Sequence, residues 1–515
     1  MTKATYKVLV DWDNDGDFGD TGEDITADTI ELSTVRGRDF ASQLTGKSRA
    51  GTLMATLENS NNTYNSFNTG SAIAGNILPG RKVQLQTGDS FPYAFPIVFS
   101  DTPIWTGYLD RIDPQPAIHG NHRAVLRATG PLGRIAGKKI RVATKSSRLT
   151  SDAIGDILND TGWAAGDRDI QTGQTTLTKW WVDDLKAISA LREVEESESG
   201  FIWEKADGKI AFDDRHFRTT NGNSVTSQKT LTDTAGSNIE YSQVDQKDPL
   251  KEIYNIIEAT VKGYTVGPLA VLWTLSESGA NSPSIAPGDS RTWWARHPSP
   301  DSATDAVGVD AWTTTAATTD MTANSQAGGG GTDLTGDITI AVEKFGNVMK
   351  ITLTNTAAVA ASITLLQARG TPITADDPVK IVAEDATSQA AFDERTYPLP
   401  APWIPTTDEA LDYVNFILSI FKDPIPVLSI SIAANRDQSH MAESLIRDID
   451  DRVTVVATGG AGLGINEDFF VEAIRHRIDK HRNQWTTYDL SPATAFGGFW
   501  ILGTSELGTG TKLAY

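Results

Sequence analysis

Short runs of alternating apolar and polar residues, each ended by turn residues, limit the folds open to this chain more than any other feature. Such runs occur at residues 6–12, 52–58, 82–86, 103–112 and 123–129. A period of two is that of a β-strand with one buried face. The loops between the runs are rich in Asn, Gly and Pro, which favour turns. The sequence therefore predicts an antiparallel barrel or sandwich over residues 1–145.

Residues 146–245 have a different pattern and predict an α+β domain. A short helix is expected at 153–159, after candidate N-cap residues at 150–152. A second helix is expected at 182–196, where Leu185, Ile188, Leu191 and Val194 recur every three residues. Alternating runs on either side of Asp207-Gly208 predict a β-hairpin, because Asp-Gly favours the tight turn.

The rest of the chain predicts one domain inserted into another. Residues 266–375 contain strand-like runs at 338–342, 348–353 and 361–366, which predict an inserted β-sandwich. Residues 246–265 and 376–492 are expected to form a second β-barrel domain, with strands at 252–261, 427–433, 451–458 and 468–474. Residues 493–515 are left as a C-terminal extension. The predicted fold class is mainly β with an α+β module.

One long helix is expected within the second barrel domain. Thr406 and Glu409 have the spacing of a capping box, which marks a helix start. The apolar residues that follow recur at helical spacing and are expected on one face: Leu411, Val414, Ile417, Leu418 and Phe421.

The charge balance argues against a protein that grips nucleic acid. The 515 residues include 45 Lys or Arg and 66 Asp or Glu, a net charge of −21. Binding to phosphates needs a basic stripe, and the densest basic cluster is residues 137–141. If the protein is a tube, an acidic lumen would let DNA slide past without sticking, because like charges repel.

The chain contains no cysteine, which excludes disulfides, thiolate zinc sites and cysteine nucleophiles. Its N-terminus runs directly into a strand-like pattern and does not resemble a signal peptide. The longest apolar run, residues 269–273, is far shorter than the roughly 20 residues that span a bilayer. A soluble protein made without an export signal is expected.

The most concentrated chemical feature is an acidic loop at residues 11–24, with seven acidic residues and no basic one. Asp11, Asp13, Asp15 and Gly16 match the start of a calcium loop, in which alternate carboxylates converge on one cation. The match ends at the twelfth position of the loop, where a calcium loop has a glutamate ligand. This chain has Gly22 there, and Glu23 follows one position later. Two interpretations stay open: a Ca²⁺ site, or a solvated turn. The candidate ligands are Asp11, Asp13, Asp15, Asp17 and Glu23.

Other chemical sites are less well supported. His119 and His122 have no third ligand near them in sequence, whereas zinc sites need three or four ligands. The sequence contains none of the common motifs for a serine hydrolase, a zinc protease or a phosphate-binding loop. The pairs Trp180-Trp181 and Trp293-Trp294 could stack on sugars, although tryptophan in β-proteins more often lies in cores and interfaces. No catalytic residue and no organic cofactor is predicted.

Several segments, taken in their order along the chain, resemble the minor tail or tail-tip hub proteins of siphophages. They include residues 10–18, the paired strand segments 77–83 and 104–110, and the α+β segments 187–196, 200–202 and 210–215. The closing segments 451–455 and 469–476, ending at 490–492, complete the resemblance. It covers most of residues 1–492 apart from the insertion.

The resemblance implies a fold related to the baseplate hubs of contractile phages, with two hub-type β-barrel domains. It implies a homotrimer whose barrels form a ring between the sixfold tail tube and threefold fibres or spikes. Expected partners are other copies of the chain, distal tail or tail-tube proteins, tail fibre or spike proteins and the tape-measure protein. Genomic DNA would pass through without sequence-specific binding, and the host surface is a further candidate partner. The expected location is the virion tail tip, after assembly in the host cytoplasm.

The leading hypothesis is therefore a non-enzymatic structural hub that plugs the tail and later conducts DNA. The alternative is a receptor- or glycan-binding tail protein that acts through the inserted domain. A cell-wall hydrolase is a third hypothesis. Such an enzyme needs a pair of catalytic carboxylates, and acidic residues are too common in this sequence for one pair to be identified.

Overall fold

The computed structural model describes residues 6–38, 46–87, 101–118, 120–236, 238–247, 249–299 and 305–493. The fold over these ranges is mainly β with an α+β module, which confirms the predicted fold class. His119 and residues 494–515 of the predicted C-terminal extension lie outside the described residues.

The first part of the chain forms six strands before the first helix. They are β1 (Tyr6–Val10), β2 (Thr29–Arg38), β3 (Ser48–Glu58), β4 (Lys82–Thr87), β5 (Pro103–Gln115) and β6 (Arg123–Thr129). Helices and strands then mix, in the order α1 (Pro131–Ala136), β7 (Lys139–Leu149), α2 (Thr150–Asp160), β8 (Arg168–Ile170), β9 (Thr176–Lys186), α3 (Ala187–Glu198), β10 (Phe201–Glu204), β11 (Ile210–Asp213), α4 (Phe217–Thr220) and α5 (Gly222–Val225).

The remaining elements up to residue 398 are nearly all strands. They are β12 (Thr230–Thr232), β13 (Ile239–Glu240), β14 (Gln243–Lys247), β15 (Ile256–Val261), β16 (Tyr264–Val266), β17 (Ala270–Thr274), β18 (Ser284–Ile285), β19 (Ser290–Arg296), β20 (Ala306–Trp312), β21 (Met321–Asn324), β22 (Ile338–Lys344), β23 (Val348–Asn355), β24 (Ala361–Ala375), β25 (Val379–Glu384), helix α6 (Ala386–Phe392) and β26 (Thr396–Pro398). The last described elements are α7 (Thr407–Phe421), β27 (Val427–Ala433), α8 (Gln438–Ile446), β28 (Arg452–Ala457), β29 (Ile465–Ile478) and β30 (Gln484–Pro492).

One continuous sheet joins the two ends of the chain. Its order is β1-β4-β5-β6-β3-β2-β29-β28-β12-β13, and β30, β27 and β14 extend from β29. The N-terminal half encloses a core that includes Trp105 and Leu126, and the C-terminal half encloses a second core that includes Phe469 and Tyr488. Strands β2 and β29 pair antiparallel from Leu32↔Ile478 to Gly37↔Ala473. The two predicted barrels are therefore hydrogen-bonded to each other along their strands.

Strand pairing in this sheet differs from the predicted grouping along the sequence. Strand β12 falls within the predicted α+β segment but pairs with β28, and β14, which crosses the end of that segment at residue 245, pairs with β27. Strand β15, which was expected in the second barrel, instead lies between β25 and β26. This small sheet packs against α7 around Ile257, Val414 and Ile417. The pairing is long-range in sequence, so local pattern does not determine it.

Helix α7 begins as the capping box predicts. The Thr406 side chain accepts a hydrogen bond from the backbone N–H of Glu409. Val414, Ile417, Leu418 and Phe421 are buried as predicted, whereas Leu411 is exposed, so its placement on the apolar face is wrong. This helix also forms one wall of the cavity described below.

The α+β module packs α2 and α3 on strands β7 and β9 and on the small sheet β10-β11-β8. The predicted hairpin around Asp207-Gly208 is confirmed, with Phe201 opposite Asp213 in the β10–β11 pair. The predicted helix at 182–196 is wrong in its first turn. Residues 182–186 belong to β9, where Leu185 pairs with Ile140 of β7. Strand pairing overrides the local helical spacing there.

The insertion is a two-sheet sandwich. Strand β24 is paired on its two sides by β16, β17, β18 and by β20, β21, and the second sheet is β19-β23-β22. Side chains from both sheets, including Trp293, Ile351 and Ile363, form one core. In the described part of the chain, no helix is both long and apolar enough to cross a bilayer.

An aromatic contact fixes the insertion on the α+β module. The Trp181 ring lies 5.4 Å from the Tyr264 ring and 5.1 Å from the Trp403 ring, both edge-on. A Cβ atom at Gly346 would lie 2.9 Å from the Trp181 side chain, and one at Gly308 would lie 3.3 Å from it. The indole therefore fills space that only glycine leaves open.

Candidate metal centre and junction cavity

The acidic loop brings three of the five predicted ligands together. Asp11, Asp13 and Asp15 each offer a carboxylate oxygen, and these oxygens lie within 4.8 Å of one another. Asp11 is buried, and its carboxylate accepts hydrogen bonds from the backbone N–H groups of Asn14 at 2.5 Å and Gly16 at 3.1 Å. In the described ranges this is the one cluster of three or more potential metal ligands.

The other two predicted ligands lie outside this cluster. The Asp17 carboxylate accepts from the backbone N–H of Gly19 at 2.7 Å. Glu23 turns into the protein, where its carboxylate accepts from the backbone N–H groups of Trp12 and Asp20, each at 3.0 Å. Burial raises the pKa of Glu23. Glu23 closes the loop by these hydrogen bonds and does not complete a ligand set with the trio.

Asp20 is a member of the acidic loop that sequence analysis did not single out. Its pKa is raised, first by a side-chain hydrogen bond with Asp13 and by the charge of that residue. The carboxylates are therefore close enough to repel one another. Such crowding is expected both in a cation site and in a solvated turn. The calcium site stays a prediction.

The tryptophan pair of the insertion does not form an open platform. Trp293 is buried in the sandwich core. Trp294 is about half exposed, but the guanidinium of Arg141 and the ammonium of Lys350 lie 5.1 Å and 5.8 Å from its ring centre. Cations of this chain already interact with the ring. Glycan binding stays a prediction.

A cavity of about 150 Å³ lies where the α+β module meets α7 and the two halves of the main sheet. One wall is mostly apolar, with Tyr397, Tyr413, Phe416 and Ile417. The opposite wall is charged and contains Arg38, Lys47, Asp213, Arg215, Arg218 and Asp450.

A buried charge cluster borders the cavity on its charged wall. We define it by Arg38, Asp213, Arg218, Asp450 and Glu472. Arg218 donates to Asp450 at 2.7 Å and to Glu472 at 2.8 Å, and Arg38 lies 3.2 Å from Glu472. Arg218 also lies 4.6 Å above the Phe470 ring, and Arg38 lies 3.6 Å above that of Phe201. The charge cluster joins β2, β11, α4 and β29.

The electrostatics of this cluster follow from burial. Desolvation raises the pKa of Asp213 and Asp450, and it outweighs the Arg218 charge at Asp450. The Arg218 and Arg38 charges hold the pKa of Glu472 low in spite of its burial. Glu472 is therefore the ionised partner of the two guanidinium groups.

Cations elsewhere in the charged wall also have acidic partners in this chain. Arg215 lies 3.2 Å from Glu409 at the start of α7, and Lys47 pairs with Glu196 at the end of α3. The wall is compensated by its own ion pairs, so the cavity does not call for a charged ligand.

Sequence analysis did not identify the charge cluster. One signal was present: Glu472 interrupts the apolar run of β29 between Val471 and Ala473, and a charged residue there needs a partner. The identity of that partner is not readable from the sequence, because Arg218 lies in a distant short helix.

No family model and no curated protein matches the sequence. The fold, however, matches solved structures. A tail protein from Neisseria meningitidis MC58 superposes with a TM-score of 0.50 at 10% sequence identity, over 95% of this chain and 96% of that chain. This chain has a tail-protein fold.

Two further solved structures are similar at lower scores. The 43 kDa tail protein of prophage MuSo2 from Shewanella oneidensis has a TM-score of 0.48 and 8% identity, over 95% of this chain and 99% of that chain. Prophage tail protein gp18 from Listeria monocytogenes EGD-e has a TM-score of 0.41 and 8% identity, over 94% of both chains. The match to the Neisseria protein confirms the predicted resemblance at the level of the tail-protein fold.

Proposed function

We propose that the protein is a structural hub at the tail tip of a tailed bacteriophage. In this role three copies form a ring that joins the tail tube to the distal tip, fibres or spikes and lets DNA pass during infection. The observation that supports it most is the tail-protein fold over nearly the whole length of both compared chains. A match confined to one domain would leave the role of the whole chain open.

An exposed edge strand offers a contact for ring formation. In the described residues β25 pairs with β15 on one side only. Val379 and Val382 on this strand are 48% and 43% exposed. An edge strand with exposed valines is prone to pair with another chain, and a neighbouring subunit would cover it.

The test is the mass and shape of the purified protein. Light scattering after gel filtration and negative-stain images are expected to show a three-subunit ring. V382K places a charge on the edge strand and is expected to yield monomers, whereas V359K, on an exposed position of the insertion, is expected to retain the ring. A wild-type protein that stays monomeric at micromolar concentration contradicts the ring. If V382K retains the ring while the wild type forms one, β25 is not the contact.

The proposal that DNA passes through the ring without binding is supported by the net charge of the protein. The net charge of −21 disfavours a tight grip on phosphates, because binding depends on cations that displace counterions. We expect no retention of double-stranded DNA on immobilised protein at low salt. Retention that survives physiological salt would contradict a passive conduit.

The proposed role is structural and non-enzymatic. Asp213 and Asp450 are buried carboxyl groups that line the cavity, and each is engaged by the fold, through Trp203 and Arg218 respectively. Dye release from labelled cell walls is expected to equal that of a buffer control. Release that D213N abolishes would establish a hydrolase instead.

A further inference from the structure

Phe67, in the loop between β3 and β4, is the most exposed aromatic residue of the described part of the chain. It is 91% exposed. Ile118 of the β5–β6 loop is 95% exposed, and the other large apolar side chains of the described residues are at most 54% exposed. An aromatic side chain that enters a pocket of a partner often supplies much of the binding energy of an interface. Phe67 is therefore a candidate anchor.

The loop holds Phe67 on an ordered turn. The backbone N–H of Asn68 donates to the carbonyl oxygen of Asn65 at 2.9 Å. The backbone N–H of Phe67 donates to the side-chain oxygen of Asn65 at 3.1 Å. Next to this turn, the Tyr64 hydroxyl donates to the Asp28 carboxylate at 2.5 Å. Binding through a turn that is already ordered loses little conformational entropy.

Phe67 cannot reach the junction cavity of its own subunit. Lys47 lines the cavity and directly precedes β3, whereas Asn59, the first residue of the loop, directly follows β3. The 11 residues of this strand place the two points roughly 30 Å apart. The backbone N–H of Tyr64 donates to the Asn59 side chain at 2.9 Å, which keeps the loop near the far end of β3. The exposed ring and the cavity thus lie at opposite ends of this strand.

The cavity has a suitable size and lining for one phenyl ring. Its volume is about 150 Å³, and an apolar cavity of this volume in another protein binds benzene. Tyr397, Tyr413 and Ile417 provide a wall on which an aromatic ring can pack. Thr219 and Phe416, which also line the cavity, are partly exposed, so the cavity opens to the surface.

The charges of the two surfaces are compatible. Residues 59–80, which include Phe67, contain no charged residue. Cations of the charged wall have acidic partners in this chain, such as Glu409 for Arg215 and Glu472 for Arg218. An uncharged loop leaves these ion pairs intact, whereas a charged side chain in the cavity would add an uncompensated charge.

We propose that the Phe67 ring of one copy inserts into the junction cavity of the next copy. This contact is part of the proposed three-subunit ring and rests on that proposed function. It is head-to-tail, because each subunit carries the aromatic ring at one end of β3 and the cavity at the other. Head-to-tail contacts generate closed rings when the rotation between subunits closes.

The cavity and the exposed edge strand β25 belong to the same small sheet. Tyr397 lies in β26, and only β15 separates β26 from β25. Two strand spacings amount to about 10 Å. One neighbouring subunit can therefore cover β25 and insert its Phe67 into the cavity.

The variant F67A tests the contribution of the aromatic ring. The side chain is exposed, so the folded monomer is expected to keep the wild-type urea midpoint. The dissociation constant of the assembly, measured by light scattering over a concentration series, is expected to rise at least about thirtyfold. The matched control I118A removes the other almost fully exposed apolar side chain and should dissociate as the wild type does. An F67A protein that dissociates at the wild-type concentration overturns the proposal.

Crosslinking locates the contact, because the chain contains no cysteine. S66C places a thiol beside the aromatic ring, and T220C places one beside the cavity-lining Thr219, both at exposed positions. A short bis-maleimide is expected to join S66C/T220C subunits into covalent trimers. The trimers should be lost when F67A is added, and also in S66C/V359C, whose second thiol lies on the insertion.

The possible outcomes separate the contact from the ring. A ring seen by light scattering that yields no crosslink overturns the contact and leaves the proposed function in place. Crosslinked open chains of more than three copies, from a protein that forms no closed ring, support the contact and contradict the ring. A wild type that stays monomeric, with no crosslink in S66C/T220C, overturns both.

Discussion

Glu204 and Gly51 are joined by a hydrogen bond between the α+β module and the N-terminal half of the main sheet. The backbone N–H of Gly51 in β3 donates to the Glu204 carboxylate of β10 at 2.6 Å. The other carboxylate oxygen accepts from the N–H of Leu132 at the start of α1, also at 2.6 Å. One buried side chain thus satisfies two backbone donors from different elements.

We expect E204Q to lower the free energy of unfolding by about 1–3 kcal/mol, because the amide NH₂ cannot accept from a backbone N–H and leaves one donor unsatisfied. The measurement is urea unfolding, with E31Q, at an exposed glutamate, as the control. Burial raises the pKa of Glu204 to about 7. Its contribution to stability therefore falls between about pH 4 and that value, and E204Q should remove this part of the pH dependence. A variant as stable as the wild type at every pH would contradict the assignment.

The β2–β29 pairing should be very sensitive to Gly37. This residue has a φ of +112°, and a Cβ there would lie 2.6 Å from Cα of Ala473 and overlap the carbonyl oxygen of Glu472. We expect G37A to cost about 3 kcal/mol or more, from backbone strain and steric overlap together. The matched control is G75A, with a φ of +80° and no atom within 4 Å of the added Cβ. Equal losses in the two variants would mean that the close approach of the strands is unimportant.

The acidic loop gives a test of calcium. If the Asp11, Asp13 and Asp15 trio holds Ca²⁺, EDTA should lower the melting temperature, and the double variant D13N/D15N should melt at the same temperature with and without EDTA. D17N is the control, since the Asp17 carboxylate lies outside the trio, and it should keep the sensitivity. A wild-type melting temperature that EDTA leaves unchanged would show a solvated turn.

The Trp181 contact predicts that the insertion can be detached. W181A removes the ring between Tyr264 and Trp403 and is expected to destabilise by about 3–5 kcal/mol. Limited proteolysis with mass spectrometry should then release a fragment close to residues 266–375 sooner than in the wild type. V359A, at an exposed position of the insertion, should release it at the wild-type rate. Unchanged proteolysis of W181A would place the main contact elsewhere.

Elements with local signals were predictable. The alternation at residues 123–129 gave β6, the spacing of Thr406 and Glu409 gave the start of α7, and Asp207-Gly208 gave the β10–β11 turn. In each case the residues that decide the structure lie within a few positions of each other in the sequence.

Long-range features were not predictable. The sequence contains the strand residues of β2 and β29 but nothing that specifies their pairing. The same holds for residues 182–186, which join a strand because β7 lies beside them. The cluster around Arg218 also depends on distant partners, since buried charges are compensated in three dimensions. Of the candidate site, the Asp11, Asp13 and Asp15 trio was readable because its spacing is local.

The pairing of β2 with β29 has a mechanical consequence. A pull along these antiparallel strands loads their hydrogen bonds in shear, because the bonds lie perpendicular to the strands and all resist at once. A pull across the strands would instead break the bonds one after another. Traction along the strand direction is therefore carried from the N-terminal half of the sheet to the C-terminal half by the backbone hydrogen bonds of one strand pair acting together.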